Sequence, residues 1–370
     1  MLLLAGCASV ARLPFTETDI TAASPAIRYD FRDAGDATRF REALRTAAGA
    51  PADGTFDLLA LSGGGSEGAY GAGLLVGWGG SGKRPVFEVV TGVSIGALMA
   101  PFAFIGAAGD EQLTRAFTDG RASRVLEPRW AMSIYGPGLF RQRPLRALVE
   151  AAITPEVLAG VAHGQAEGRR LYVATTSLDT QGQVIWDMGA LAASGQPDAR
   201  ARFIDILVAS SSIPGVFEPV FITLERDGRA VRELHADGRT TSNVFVVPER
   251  MMLSRDIFGP TPTPDASPPR RLWIVMNGRP EPAFSVAPYA ALSIAGRSLD
   301  AMMKASTRMT LIAAAQFARL NSMTIAIAMA PPGAVETSLD FSQPRMQALY
   351  ERGRDHGLAG DGWAVSATTD

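Results

Sequence analysis

The sequence contains little cysteine, little histidine and little charge. Cys7 is the only cysteine among 370 residues, and His163, His235 and His356 are the only histidines. A single cysteine excludes an internal disulfide and a cysteine-rich metal site, and we expect neither a metal nor a cofactor. Charged residues make up 19% of the chain and the net charge is −2. Because nucleic-acid binding needs clustered positive charge, we expect no nucleic-acid partner.

Long hydrophobic runs, internal repeats and low-complexity blocks are also missing. No apolar run approaches the ~20 residues of a transmembrane helix. The hydrophobic content of 47% nevertheless allows a large core. We expect one large α/β domain over residues 55–356, a peripheral lead-in over 8–54 and a loosely held tail over 357–370. The Pro-rich segment 259–271 is interpreted as an exposed loop within that domain.

The N-terminus, "MLLLAGCAS", ends an apolar stretch with small residues and Cys7. This pattern resembles the lipobox of bacterial lipoproteins, in which the cysteine is lipidated and becomes the mature N-terminus. Residues 1–7 would then be a truncated signal, because the basic segment that normally precedes the apolar one is missing. The alternative is an apolar N-terminus with a chance cysteine. Ala8 and Ser9 resemble the sorting signal for the outer membrane, so we expect a lipid-anchored protein on its periplasmic side.

Strand-like and helix-like segments alternate from residue 56 onward. "FDLLAL" (56–61), "VFEVVTG" (86–92), "RRLWIVMNG" (270–278) and "MTIAIAMA" (323–330) have the length and two-sided apolar character of buried parallel strands. "RRLYVATTSL" and "QVIWDM" predict a strand pair joined by the turn "DTQG". Two helix-like segments, 289–303 and 305–320, lie between the last two strands. This alternation predicts a mostly parallel central sheet between helices, a three-layer α/β/α fold.

Ser94 lies in "GVSIG", between a strand-like and a helix-like segment. Gly92-Val93-Ser94-Ile95-Gly96 matches G-x-S-x-G, in which a nucleophilic serine occupies a sharp turn from strand to helix. The following helix N-terminus can stabilise negative charge that develops at the serine. The alternative is an ordinary solvated serine in a glycine turn. The strand and helix on either side favour the nucleophile.

Gly63, Gly64 and Gly65 follow the first strand and precede a small-residue helix. Glycine amides can converge on an anion, so this loop is a candidate oxyanion hole for the reaction of Ser94. "GGGSEG" also fits the dinucleotide fingerprint G-x-G-x-x-G. That fingerprint expects an acidic residue at the end of the next strand, whereas Glu88 lies near its start. The nucleotide interpretation also leaves Ser94 unexplained.

A nucleophilic serine needs a base. We expect His163, in "GVAHGQAEG", to lie in a polar loop and His356 to lie in the C-terminal tail, both solvated. His235 precedes Asp237-Gly238 in "ELHADG", and Asp237 at the end of a strand can itself reach the serine hydroxyl. Spacing alone would equally allow a simple Asp-Gly turn.

A glycine-rich loop, then G-x-S-x-G, then a distant Asp-Gly in this order resembles the patatin-like phospholipases. The likeness runs from about Phe56 to Val247 and includes "VATTSLDTQGQVIWDMG" and "ASSSIPGVFEPV", which are similar to the lipoprotein-type bacterial branch. The resemblance implies a patatin-like α/β/α fold and hydrolysis of phospholipids or other acyl-ester lipids. It implies Ser94 as nucleophile and Asp237 as base in a dyad. The amides of Gly63, Gly64 and Gly65 would then form the oxyanion hole.

Two positions depart from the family pattern. Glu67 stands where the family often has a basic residue, and Arg239 follows Asp237-Gly238 where a small residue is usual. An inward-facing guanidinium at 239 would lower the pKa of Asp237 and weaken it as a base. The alternatives are an α/β-hydrolase esterase with a Ser–Asp–His triad and a lipoprotein that binds lipid without catalysis.

Overall fold

The computed structural model describes residues 12–49, 51, 53–128, 136–259, 269–331 and 339–366. The lipidation site predicted at Cys7 lies outside the described residues. Residues 260–268 of the Pro-rich loop and the last four residues of the tail also lie outside them.

Ten strands form one mixed sheet within these ranges. They are β1 (Arg28–Asp30), β2 (Phe56–Leu61), β3 (Val89–Val93), β4 (Arg170–Ser177), β5 (Gly182–Asp187), β6 (Val220–Arg226), β7 (Arg229–Asp237), β8 (Arg270–Met276), β9 (Met323–Met329) and β10 (Ala364–Ser366). The main order is β1-β5-β4-β3-β2-β8-β9-β10, and β7 pairs with β4 and β6. The five strands from β4 to β9 in this order are parallel, and the outer pairs are antiparallel. The expected mostly parallel sheet is confirmed.

Helices cover both faces of the sheet. They are α1 (Glu17–Ala23), α2 (Ala34–Ala48), α3 (Gly68–Gly80), α4 (Ile95–Ile105), α5 (Asp110–Thr118), α6 (Arg143–Ala152), α7 (Pro155–Ala166), α8 (Met188–Ala192), α9 (Ala199–Ser210), α10 (Ala291–Leu320) and α11 (Gln343–Ala359). Buried residues of α2 and α10 form the core on one face, and buried residues of α3–α9 and α11 form the core on the other. The three-layer α/β/α expectation is confirmed.

The central strand β2 shows why its sequence is apolar throughout. Leu59 and Leu61 belong to the core with α3 and α4, whereas Leu58 and Ala60 belong to the core with α2 and α10. Successive side chains of a strand point to opposite faces, so a strand between two helical layers needs apolar residues at every position.

The strands β3 and β7 approach β4 from opposite directions along one of its edges. β3 runs parallel to β4 and pairs its last residue, Val93, with Ala174. β7 runs antiparallel to β4 and pairs its last residue, Asp237, with Thr175. The other edge of β4 is occupied by β5. The carboxyl ends of β3 and β7 therefore meet head to head, which brings together the residues at and just after these ends.

Several segments differ from the sequence-based expectations. Segments 289–303 and 305–320, predicted as two helices, form the single helix α10. Lys304, which lies between them, is a good helix former and no Gly or Pro interrupts the pattern there. The expected peripheral lead-in contributes β1 to the sheet and buries Phe40 and Leu44 of α2. The expected loose tail contributes β10, which pairs with β9.

None of the described helices is both long enough and apolar enough to cross a bilayer.

Candidate active site

Ser94 occupies the turn between β3 and α4 in a backbone conformation that is rare for a residue with a side chain. Its φ is 55° and its ψ is −125°, and α4 begins at the next residue. A non-glycine residue at positive φ stores strain on the order of 1–3 kcal/mol and persists only where its surroundings hold it. Ser94 is 3% exposed. The elbow expected from G-x-S-x-G is present.

The two glycines of the motif are required by contact with neighbouring backbone. A Cβ at Gly92 would lie 2.6 Å from the Ala97 Cα, and one at Gly96 would lie 2.3 Å from the Leu61 carbonyl oxygen. A side-chain Cβ does not approach non-bonded atoms this closely. Only glycine therefore lets α4 start this close to β2 and β3.

Asp237 accepts a hydrogen bond from Ser94. The Ser94 Oγ lies 2.6 Å from Asp237 Oδ2, and the backbone N–H of Arg239 donates to Asp237 Oδ1 at 2.8 Å. The carboxyl group is fully buried. Burial raises the pKa of Asp237 to about 6, although the Arg239 charge and the hydrogen bonds from Ser94 and Arg239 oppose the rise. The structure thus brings the two predicted dyad residues into contact.

Three consecutive serines at the end of α9 hold this pair in place. Ser210 Oγ accepts a hydrogen bond from the Ser94 N–H at 3.0 Å, and Ser211 Oγ donates to the Ser94 carbonyl oxygen at 3.2 Å. The Ser212 carbonyl oxygen accepts from the Asp237 N–H at 2.9 Å. These serines were not singled out as site residues from the sequence. The signal was present in "ASSSIP", whose run of small hydroxyl residues precedes a helix-ending proline.

The glycine loop lies beside the pair, but its three amides are not equivalent. The Gly63 N–H donates to the Asn243 carbonyl oxygen at 3.0 Å, so this amide is occupied within the protein. Gly65 has φ of 60°, begins a 3₁₀ turn and lines the same cavity as Ser94. Of the three predicted donors, the Gly63 N–H is therefore already engaged and is not free to bind an oxyanion.

The two positions that depart from the family pattern lie close to this loop. A Cβ at Gly63 would lie 2.3 Å from the Arg239 Cδ, so the Arg239 stem covers Gly63. Glu67 is buried, and burial raises its pKa to about 7 against the charges of Arg239, Arg345 and Lys304. Arg239 is half-buried, and its charge opposes the pKa rise at Asp237 without cancelling it.

His235 is buried in a network behind the dyad. Its Nε2 lies 2.9 Å from Glu233 Oε2 and its Nδ1 lies 3.0 Å from Thr175 Oγ1. Arg28 and Ser177 donate hydrogen bonds to Glu233 Oε1. Burial acts to raise the pKa of Glu233, but the hydrogen bond and charge of His235, with Arg28 and Ser177, outweigh it and lower the pKa to about 2. Both ring nitrogens are thus engaged away from Ser94.

The other two histidines are also elsewhere. The expectation of a polar loop around His163 is wrong, because His163 lies on α7, where its side chain is largely exposed. His356 was expected in a solvated tail, but it lies on α11 and its Nδ1 is 2.9 Å from the Tyr70 hydroxyl. Within the described part of the chain, none of the three histidines hydrogen-bonds Ser94. The same part contains no cluster of three or more His, Cys, Asp or Glu side chains that could hold a metal.

An apolar cavity opens from Ser94. It lies between α4, α5, α6 and α9, with residues such as Leu98, Phe102, Leu148 and Leu207 along its walls, and is partly open to solvent. An apolar lining with a few polar groups is typical of a site for a small, largely apolar ligand. Ser94 and Gly65 are part of its lining.

A strand, a serine at a strained turn, a helix, and a carboxylate in contact with the serine define the class of α/β proteins with a nucleophile elbow. The family model of the patatin-like phospholipases matches residues 59–248, just over half of the chain. The chain belongs to the patatin-like phospholipase family, and lipid acyl hydrolase activity in general follows from that membership. A comparison with curated proteins found no match.

Among solved structures, VipD from Legionella pneumophila is similar to this chain. The two are 13% identical with a TM-score of 0.36, over 85% of this chain and 68% of that one.

Proposed function

We propose that this protein hydrolyses acyl esters of lipids through a Ser94–Asp237 dyad. The observation that carries the proposal is the 2.6 Å hydrogen bond from Ser94 Oγ to the buried Asp237 carboxyl group. Asp237 takes the hydroxyl proton as Ser94 Oγ attacks the ester carbonyl carbon. The proton then passes to the leaving alcohol, and an acyl-serine remains. Water, deprotonated by Asp237, releases the fatty acid and restores Ser94.

Backbone amides of the glycine loop are proposed to stabilise the oxyanion. Gly64 and Gly65 are the proposed donors, because the Gly63 N–H already donates to Asn243. Gly65 lines the cavity that contains Ser94. The N-terminus of α4 adds a favourable field at the same place, since unpaired N–H groups at a helix start favour negative charge.

The apolar cavity is proposed to hold the acyl chain. Its lining is almost entirely apolar, whereas a polar substrate would leave its hydrogen-bonding groups unsatisfied there. Esters with apolar acyl chains, such as phospholipids and lysophospholipids, are the proposed substrates. The lining does not distinguish head groups, because they would remain outside it.

We propose, more specifically, that the protein is a lipoprotein-type patatin anchored in the outer membrane. It is supported by "LLAGC" around Cys7, by the small residues Ala8 and Ser9, and by the likeness of "ASSSIPGVFEPV" to the lipoprotein-type branch. The anchor would hold the enzyme at the surface that contains its substrate.

Hydrolysis of a soluble p-nitrophenyl acyl ester by single-residue variants tests the dyad. We expect Ser94→Ala and Asp237→Asn each to lower kcat/KM by about 10³-fold or more, because each removes a group that acts in the transition state. We expect His235→Gln to lower it by less than about tenfold, since its imidazole touches Glu233 and Thr175 rather than the serine.

The controls separate chemistry from folding. Each rate is referred to the folded fraction measured by circular dichroism, and His163→Gln serves as an exposed histidine control. A loss of about 10⁴-fold in folded His235→Gln would replace the dyad with a triad. Full activity in Ser94→Ala would overturn the dyad, whereas absence of hydrolysis by the folded wild-type protein would support the alternative of a lipoprotein that binds lipid without catalysis.

A further inference from the structure

A strongly exposed apolar segment follows β8. All ten residues from 281 to 290 are exposed. Phe284 is 96% exposed, Val286 81% and Tyr289 101%. Large apolar side chains are seldom so fully exposed in a group, and clusters of this kind mark a surface that contacts another apolar phase.

The first two thirds of α10 continue this apolar character. Ile294, Met302 and Met309 are exposed large apolar residues. Their spacings of eight and seven residues place them on one side of the helix. With the preceding segment they form a surface that we call the apolar ridge: Phe284, Val286, Tyr289, Ile294, Met302 and Met309.

The ridge begins beside the glycine loop. A Cβ at Gly278, just before the exposed segment, would lie 3.0 Å from Glu67 Oε2 and 3.6 Å from the Gly64 Cα. On α10, Lys304 lies near enough for its charge to act against the burial that raises the pKa of Glu67. The chain that leads into the ridge therefore passes beside the glycine loop, and α10 lies near Glu67, which follows that loop.

Charge near the ridge is complementary to phospholipid head groups. Residues 279–312 contain four basic residues and two acidic residues, although the whole chain has a net charge of −2. Arg279 pairs with Glu281 and Lys304 with Asp300, so that Arg297 and Arg308 account for the excess of two positive charges. Lipid phosphates attract such an excess, whereas a second copy of the same surface repels it.

We propose that the apolar ridge docks the protein on the surface of a phospholipid bilayer, so that the Ser94 cavity receives ester lipids from the membrane. The apolar side chains enter the boundary between head groups and acyl chains, and the basic residues lie at the phosphates. This inference rests on the proposed function for its purpose, but the docking is a separate property. It is also independent of an anchor at Cys7.

Vesicle binding of a protein without anchor and without catalysis tests the ridge. The full chain carrying Cys7→Ala and Ser94→Ala is sedimented with vesicles of phosphatidylcholine and equimolar phosphatidylglycerol. We expect the further triple change Phe284→Ser, Val286→Ser and Tyr289→Ser to weaken binding by about tenfold or more, because three apolar side chains no longer enter the interface.

A matched triple change addresses nonspecific effects. Leu13→Ser, Leu253→Ser and Leu358→Ser alter exposed apolar residues outside the ridge, and we expect binding to be retained. Circular dichroism and thermal unfolding of each variant confirm that it is folded. The protein mass in solution is measured by light scattering.

Equal vesicle binding by the ridge variant and its parent would overturn the inference. If the parent protein is a dimer, and the ridge variant is a monomer with unchanged vesicle binding, the ridge is an interface between copies and the inference is also overturned. Because binding is measured in Ser94→Ala protein, its outcome does not depend on hydrolysis. Hydrolysis of a soluble ester is measured without vesicles, so failure of the proposed function is recognised separately.

Discussion

At the scale of single residues, Asp237 shows a conflict between stability and chemistry. Its carboxyl group is fully buried, and burial raises its pKa from 3.8 to about 6. The folded protein therefore binds a proton here more tightly than the unfolded chain does. The stability from this group is fully present below about pH 4 and is lost as the pH rises through about 6. The charged form that serves as a base is thus the form that destabilises the fold.

We expect Asp237→Asn to stabilise the protein at pH 8, because an uncharged amide avoids the burial of a carboxylate. The gain in free energy of unfolding over wild type is expected to be larger at pH 8 than at pH 4 by about 1–3 kcal/mol. Denaturant unfolding at the two pH values measures it. Asp227→Asn, which changes an exposed carboxylate, is the control. A gain that is the same at both pH values would contradict the role of burial.

The residues of the candidate site were predictable to the extent that their signals are local. Ser94 stands in a five-residue motif, and the order of motifs indicated Asp237. The network around His235 was only partly predictable. Glu233 is local in sequence, but Thr175, which hydrogen-bonds His235, and Arg28, which donates to Glu233, lie on other strands. The hydrogen bond from the Gly63 N–H could not be predicted either, because its acceptor, the Asn243 carbonyl oxygen, is 180 positions away in sequence.

At the scale of elements, α3 and α11 pack unusually closely. A Cβ at Gly77 on α3 would lie 2.0 Å from the Arg354 carbonyl oxygen on α11. A Cβ at Gly353 on α11 would lie 2.0 Å from the Tyr70 carbonyl oxygen on α3. Backbone atoms of the two helices therefore approach each other directly, and glycine at these positions is a packing requirement.

We expect Gly77→Ala to destabilise the protein by about 2–4 kcal/mol, because the helices must move apart or the backbone must bend. Gly80→Ala on the same helix is the control. Its Cβ would meet only the Leu358 Cδ2 at 3.4 Å, so we expect no loss and a gain of up to about 1 kcal/mol from helix propensity. Denaturant unfolding measures both. Equal effects of the two changes would mean that the close approach does not matter.

The central strands and the strand pair β4–β5 were predictable because their apolar patterns and turn residues are strong. β6 and β7 were not identified as a pair, although Asp227-Gly228 lies between them. Their outer part is half exposed, so the apolar pattern is weak there. The continuity of α10 was missed because two amphipathic segments in sequence do not reveal whether a helix bends between them.

At the scale of the whole molecule, the described N-terminal and C-terminal segments belong to the fold. β1 and β10 form outer strands of the sheet, so the core draws on both ends of the chain. The domain boundaries at 55 and 356 stay predictions. The strands outside them, β1 and β10, are hydrogen-bonded into the same sheet as the strands between them. Short strands of three residues carry little sequence signal, which is why neither was expected.

Membrane association through Cys7 is the prediction that concerns the whole molecule. We expect the protein produced from its natural gene in its bacterial host to carry lipid and to sediment with the membrane fraction. Cys7→Ala is expected to lose the lipid and to move in part to the soluble fraction, because the lipid anchor no longer adds to surface binding through the apolar ridge. Fractionation with mass spectrometry of the N-terminal peptide measures both. A wild-type peptide without lipid would leave "LLAGC" a coincidence.

The meeting of β3 and β7 on one edge of β4 has a consequence for how such chains can vary. Ser94 and Asp237 are 143 positions apart in sequence. Their contact is set by two adjacent residues of β4, because Ala174 pairs with the last residue of β3 and Thr175 pairs with the last residue of β7. Insertions or deletions in the connecting loops between these strands leave that register unchanged. The geometry of the Ser94–Asp237 contact therefore does not depend on the length of these loops. Sequence changes in the intervening segments can alter substrate access while the nucleophile and its base keep their positions.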